Sequence, residues 1–306
     1  MRIFFLIFLL INSISCSQTF ESTYTGQFEP THTGQLVRHS YFSLSYNEEH
    51  EQAEWVCYNL NSEMINGKYE RKDNFKADNK ITTGSAKKSD YYNYDYDRGH
   101  LAPAADMKIS KKAMSESFLF SNISPQHKSF NRGGWLKLEK QVRKWVLSEG
   151  EMYVVTGPVL TDPIQSIGSN NVTVPRDFYK IIYSKSKNKM IGFIMPNQKI
   201  NNPLKYYVKS VDFIEDITGI DFFYQLEDEN EEALESETNI NNWNFTIVSK
   251  PSNSSKKSTS KQCYGIAKST SNRCKNMTKN DNGYCYAHQS QSSDYNPPPT
   301  ELLSNQ

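Results

Sequence analysis

Tyr96-Asp97-Arg98-Gly99-His100-Leu101-Ala102-Pro103-Ala104-Ala105-Asp106 is the run on which the reading of this chain turns. His100 ends a strand-like segment, where the chain turns. Imidazole titrates near pH 6.5, so at neutral pH His100 can accept a proton. Gly99 lets the backbone turn where a Cβ would crowd it. Asp97 is placed to anchor the loop by hydrogen bonding. Arg98 offers a planar fork of donors that suits a phosphate. A lone histidine is more often structural, and a lone arginine more often half of a salt bridge. The surrounding run weighs toward the catalytic reading of His100.

Downstream stand Asn122-Ile123-Ser124-Pro125-Gln126, then Phe130-Asn131, Trp135, Leu138-Glu139 and Arg143. Trp135, Leu138, Val142, Trp145 and Val146 recur at helical spacing. They predict a helix from about Gly134 to Ser148, which Gly150 stops. Asn131 offers an amide oxygen just ahead of it. Magnesium favours hard oxygen ligands and keeps several waters, so one protein ligand plus phosphate oxygens is chemically reasonable. An asparagine in that place is more often an N-cap. Glu139 and Arg143 break that tie, because their spacing stacks them on one helical face near Asn131.

These motifs resemble the DNA/RNA non-specific endonuclease family, whose active site is a ββα-metal (His-metal finger) unit. Further landmarks are Phe42 to Asn47, Trp55-Val56, Phe75-Lys76-Ala77-Asp78 and Val155-Thr156-Gly157-Pro158. Val174-Pro175 with Phe178-Tyr179-Lys180, and the run from Val211 to Phe223, complete them. The resemblance covers roughly residues 35 to 225. It implies an α+β fold, a ββα-metal nuclease core on a mainly antiparallel sheet flanked by helices. It implies that His100 is the general base and Asn131 the ligand of Mg2+ or Mn2+. Glu139 orients water at the metal, Arg98 and Arg143 bind phosphate, and Asn122 and Gln126 brace the site. The family also uses an arginine upstream of the histidine, for which Arg71 is the nearest candidate. The implied reaction leaves 5′-phosphate and 3′-hydroxyl ends on DNA and RNA. Contacts are expected to the backbone, not to base edges.

Aromatic and β-branched content predicts strands at His39–Tyr46 and Ala53–Leu60, separated by a polar turn. Further strands are expected at Met152–Leu160, Phe178–Tyr183 and Met190–Met195, and helices at Lys111–Phe118 and Ser210–Gly219. The 306 residues suffice for one sizeable core plus an appendage. Hydrophobic residues make up 37% and mean hydropathy is −0.71, which excludes bulk membrane character. Net charge is only +1, from 35 basic and 34 acidic side chains. A nucleic-acid enzyme needs a local basic stripe, not a basic whole. Acids concentrate at Glu227–Glu237. Bases cluster at Lys108, Lys111, Lys112, Lys128, Arg132, Lys137, Lys140, Arg143 and Lys144, which favours a phosphate-facing side.

The ends carry other signals. Arg2 followed by the apolar run Ile3–Ile11 reads as an export signal over residues 1–15, too short for the about 20 residues of a bilayer span. Ser15 before Cys16 resembles a bacterial lipoprotein cleavage site, although Ser13 stands where an aliphatic residue is usual. A lipid tether through Cys16 and plain secretion therefore both stay open. A periplasmic or outer-surface location, or release from the cell, is expected. Residues 16–34 read as a flexible leader, 35–250 as the nuclease domain, 251–262 as a linker and 291–306 as a disordered tail. Between the last two, residues 263–290 hold Cys263, Cys274, Cys285 and His288, and resemble small Cys/His modules that bind zinc. Three thiolates and an imidazole suit a tetrahedral structural Zn2+. A disulfide is the alternative in an oxidising compartment. Two other functions compete: a surface nucleic-acid-binding protein with a degenerate nuclease domain, and an antibacterial effector. The intact set of His100, Asn131, Glu139 and Arg143 weighs against the first, and the export signal against the second.

Overall fold

The computed structural model of the chain describes residues 24–245, 260–267, 271–280 and 282–292. The export signal, Cys16, most of the linker and the tail lie outside the described residues. The chain divides into two units, Met1–Phe245 and Thr246–Gln306.

Strand-forming residues in the first unit build a seven-stranded sheet. It opens with β1 (Gln35–Arg38), β2 (Ser43–Asn47) and β3 (Gln52–Leu60), followed by the short helix α1 (Ser62–Asn66). Then come β4 (Tyr96–His100), α2 (Lys111–Glu116), β5 (Ile123–His127) and the long helix α3 (Leu136–Glu149). β6 (Met152–Pro158), a small hairpin of β7 (Gln165–Ile167) and β8 (Val172–Val174), β9 (Asp177–Ser184), β10 (Lys189–Pro196) and β11 (Val208–Lys209) follow. Helices α4 (Val211–Thr218) and α5 (Asp228–Glu235) come last. The sheet order is β1-β2-β3-β6-β9-β10-β11, and every adjacent pair is antiparallel.

Successive side chains of a strand point to opposite faces, so both faces of the sheet must be covered. Val56, Val154, Ile182 and Phe193 pack on one face against Trp135, Leu138, Val142 and Trp145. Trp55, Val155, Tyr179 and Ile181 pack on the other against Val211, Ile214, Phe222 and Leu234. α3 therefore covers one face, and α4 with α5 the other. β4 and β5 stand apart as a two-stranded ribbon that feeds α3, which is the expected ββα arrangement.

The leader is not flexible up to residue 34. Phe28 is buried, with its ring 4.7 Å edge-on from Tyr153 and 5.4 Å from Tyr183. Trp55 donates its indole N–H to the Thr31 carbonyl. The segment from His39 to Tyr46 is not one strand. The chain turns at His39–Phe42, where the His39 N–H meets the Phe42 carbonyl at 2.8 Å, and β1 and β2 form the hairpin. The buried His39 ring meets Asp78 at 2.9 Å, a hydrogen-bond partner that strand periodicity does not reveal. In the second unit β12 (Lys261–Gln262) pairs with β13 (Met277–Thr278) around buried Cys263, Cys274 and Cys285. Ordered structure there begins before residue 263, inside the expected linker.

Candidate active site

β4 and β5 run antiparallel with Gly99 opposite Ser124 and His100 opposite Ile123. Gly99 is needed for contact, not for a turn: it lies within the strand. A Cβ at Gly99 would stand 2.2 Å from the side chain of buried Gln126. Gly99→Ala is therefore expected to destabilise the fold by about 1–3 kcal/mol through overpacking. Thermal or urea unfolding of the variant checks this.

His100 ends β4, and Asn122 staples the loop that follows. The Asn122 amide accepts from Ala102 N at 2.8 Å and donates to the carbonyls of Ala102 and Ser117 at 2.9 and 2.8 Å. The His100 ring is buried edge-on to Phe118 at 4.9 Å and beside Phe75 at 5.6 Å. Its Nε2 is buried without a hydrogen-bond partner. Desolvation, and then the nearby Arg71 and Arg98 against an opposing Asp73, push the imidazole down to about 3. His100 is thus held neutral.

Opposite it, the chain enters α3 through a π-helical turn, Phe130–Trp135. Such turns cluster at functional sites, and no apolar spacing announces this one. Asn131 lies inside the turn, not at its cap. Its Nδ2 donates to Asp97 Oδ2 at 3.0 Å, and Arg132 grips the same carboxylate with two donors at 2.7 and 2.6 Å. Asp97 therefore does more than anchor its own loop. By accepting from Nδ2 it fixes the Asn131 amide and leaves Oδ1 as that side chain's oxygen donor. Although burial opposes it, the hydrogen bonds from Arg132 and Asn131 hold the Asp97 carboxyl below its ordinary range.

Arg71, Arg98, His100, Asn131, Arg132 and Glu139 line one cavity of about 540 Å³. Arg98 lies over the Phe75 ring at 4.2 Å and Arg71 over Phe118 at 5.3 Å, while Arg71 Nε meets Asp73 at 2.6 Å. The structure thereby brings Arg71 to the site that its spacing had left open. Burial raises the Glu139 carboxyl, against the opposing pull of Arg143 and Lys180.

Arg143 does not line the cavity. Its guanidinium is spent on Asp106 at 2.6 Å, and Asp106 also accepts from the Tyr58 hydroxyl at 2.9 Å. Helical spacing sets Arg143 one turn beyond Glu139 on α3 but could not show this buried partner. Among the basic residues that cluster in sequence, only Arg132 lines the cavity. Lys128 is paired with Asp95. Lys88, Tyr91, Tyr92 and Tyr96 also line it. They come from a stretch of tyrosines that carries no chemical signature of its own.

The sequence model of the DNA/RNA non-specific endonuclease family matches residues 21–229. The chain belongs to this family. It is similar to a nuclease of Nostoc sp., with 33% identity over 217 residues, 66% of this chain and 77% of the relative. It is 31% identical over 205 residues to human mitochondrial endonuclease G, covering 61% of this chain and 69% of that protein. Among solved structures, a chain of the EndoG/EndoGI complex, which describes the mechanism of EndoG inhibition, matches with a TM-score of 0.60 at 30% identity. That match covers 65% of this chain and 89% of the other. The chain is thus a nuclease that hydrolyses phosphodiester bonds.

The nuclease's second unit lies beyond the family match. Cys263, Cys274, Cys285 and His288 place one ligand atom each within 4.8 Å of one another. Cys285 Sγ lies 3.2 Å from His288 Nδ1, and Cys274 Sγ 3.9 Å from Cys285 Sγ. All three thiols are free, as is buried Cys57. Against the desolvation that raises it, N–H donors from Cys285 and Gly265 hold the Cys263 thiol below its ordinary value.

Proposed function

We propose that this nuclease is an exported, Mg2+-dependent endonuclease that cuts DNA and RNA, with His100 as general base and Asn131 as the metal's protein ligand. The observation that carries the reading is that His100 and the oriented Asn131 amide line the same cavity. Asn131 fits a hard cation, because Asp97 occupies its N–H side and leaves an amide oxygen. Mn2+ satisfies the same donors. Bound there, Mg2+ supplies positive charge to the scissile phosphate.

The chain's own residues do the rest. His100, held neutral, takes a proton from the attacking water. Arg98 and Arg71 face the phosphate as fixed cations and are restrained by the aromatic rings beneath them. Glu139 orients water at the cavity wall. Arg143, through its contact with Asp106, acts as a positioning residue for the charged cluster under α3. Contacts of this kind reach the nucleic-acid backbone, so sequence preference should be weak. The cut is expected to leave 5′-phosphate and 3′-hydroxyl ends.

EDTA is expected to abolish plasmid nicking and added Mg2+ to restore it. Asn131→Ala should lose at least tenfold in rate at saturating metal and need more metal for half-maximal activity. Full cleavage in EDTA would overturn the metal assignment.

Export rests on the Arg2 and Ile3–Ile11 signal, and the lipid tether on Ser15-Cys16. No helix among the described residues is long and apolar enough to cross a membrane. In a bacterial host, the wild-type chain should pellet with membranes and Cys16→Ser should not. Unchanged fractionation of Cys16→Ser would count against lipidation. The Cys/His cluster is proposed to hold one structural Zn2+.

A further inference from the structure

On the face of the sheet opposite α3, Asp212 and Glu215 of α4 meet Glu235 of α5. One carboxylate oxygen from each lies within 4.8 Å of the others. Asp212 and Glu215 are three residues apart on α4 and so share a helical face. Asp212 is exposed and Glu235 is only 5% exposed. Glu235 Oε1 is buried without a hydrogen-bond partner. That is the costly feature, because a buried carboxylate is normally bonded or paired. Glu235 is also the last residue of α5, where the helix dipole disfavours negative charge.

The charged groups that act most strongly on Glu235 are other carboxylates: Glu215, Glu231, Asp212 and Asp221. Glu215 is held in place by the Phe222 N–H at 2.7 Å, which satisfies one oxygen. Ile214, between the two acids of α4, packs where Gly192 of β10 has no Cβ. The acids therefore converge on a fixed frame. After burial, repulsion among these neighbours raises Glu235 to about 9 and Glu215 to about 7.

We propose that Asp212, Glu215 and Glu235 form a calcium-binding site, distinct from the catalytic cavity, that ties α5 to α4. Oxygens that share one calcium at about 2.3–2.6 Å lie at most about 5 Å apart, which this cluster satisfies. Calcium also tolerates irregular geometry and completes its shell with water, which exposed Asp212 admits. Magnesium demands a stricter octahedron. Soft thiolates do not compete for calcium, so the Cys/His unit is a separate matter.

The test is calcium titration of the full chain carrying Asn131→Ala, so that binding at the catalytic cavity is not counted. Calorimetry should show one Ca2+ per chain, with a calcium-dependent rise in Tm. Adding Glu235→Gln should weaken binding at least tenfold and remove that rise. Because glutamine is the neutral isostere of the protonated acid, it should leave the calcium-free Tm about unchanged at neutral pH. Should Glu235→Gln fail to fold, Asp212→Asn at an exposed position answers the same question. No calcium binding at millimolar concentration, or equal affinity in these variants, would overturn the proposal.

Discussion

Replacing His100 with alanine is expected to lower turnover about 10²–10⁴-fold while nucleic-acid binding persists. The ring is buried between Phe75 and Phe118 and makes no hydrogen bond through Nε2, so few polar contacts are lost with it. Arg71, Arg98 and Arg132, which line the same cavity, remain to hold phosphate. KM should therefore move little and kcat should fall. Near-normal turnover of the purified variant would remove His100 from the mechanism.

The same group predicts how stability responds to acid. Burial and the adjacent arginines lower its folded pKa to about 3, against about 6.5 when unfolded. Below 6.5 the unfolded chain takes up a proton that the folded chain refuses. The stability His100 contributes is thus complete above about 6.5 and is lost as pH falls toward about 3. His100→Ala should show a shallower loss of Tm across that window. An identical acid profile in the two proteins would mean that His100 is not buried as a neutral ring.

Local chemistry in the sequence was enough to place the ββα unit and most of the sheet. Ser210 and Gly219 bound α4 as expected, with Ser210 capping Phe213 N and Gly219 in the left-handed region. Trp135, Leu138, Val142 and Trp145 do form one buried face. What stayed hidden depends on partners far along the chain. Phe28 is anchored by Tyr153 and Tyr183, so a polar-looking leader becomes part of the core. Asp106 claims Arg143 from outside its helix, and Asp97 reaches across to Asn131. Lys180, a family landmark, buries its ammonium 4.7 Å over the Trp135 ring near Glu139. A pattern of residues marks such positions but cannot say which long-range partner each will find.

Stripping the zinc proposed for the Cys/His cluster is expected to unfold the second unit and leave the first intact. The described buried apolar residues of the second unit are Cys263, Cys274 and Cys285, with no aliphatic or aromatic core beneath them. Roughly thirty residues with so little to bury need a staple, and metal binding then supplies the folding free energy. The Cys274 and Cys285 sulfurs stand 3.9 Å apart, so the fold leaves both thiols available as ligands. Protein purified without chelators should carry about one zinc, and Cys274→Ser should carry none. A disulfide with no zinc would reverse the assignment. A chain ending at Lys250 should still cut nucleic acid. It keeps Trp243, whose ring packs tilted at 4.7 Å from Trp145, and the Asn244 carbonyl that accepts from Gln141 and Trp145. Those contacts clamp α3 from behind, so a chain ending near residue 229, where the family match stops, should lose stability and activity. Binding by the Lys250 chain should weaken at most modestly, and more at low salt, if Lys256, Lys257, Lys261, Lys268, Arg273, Lys275 and Lys279 of the missing unit help hold the backbone. A folded Lys250 chain that cannot cleave would show that the second unit belongs to the active enzyme.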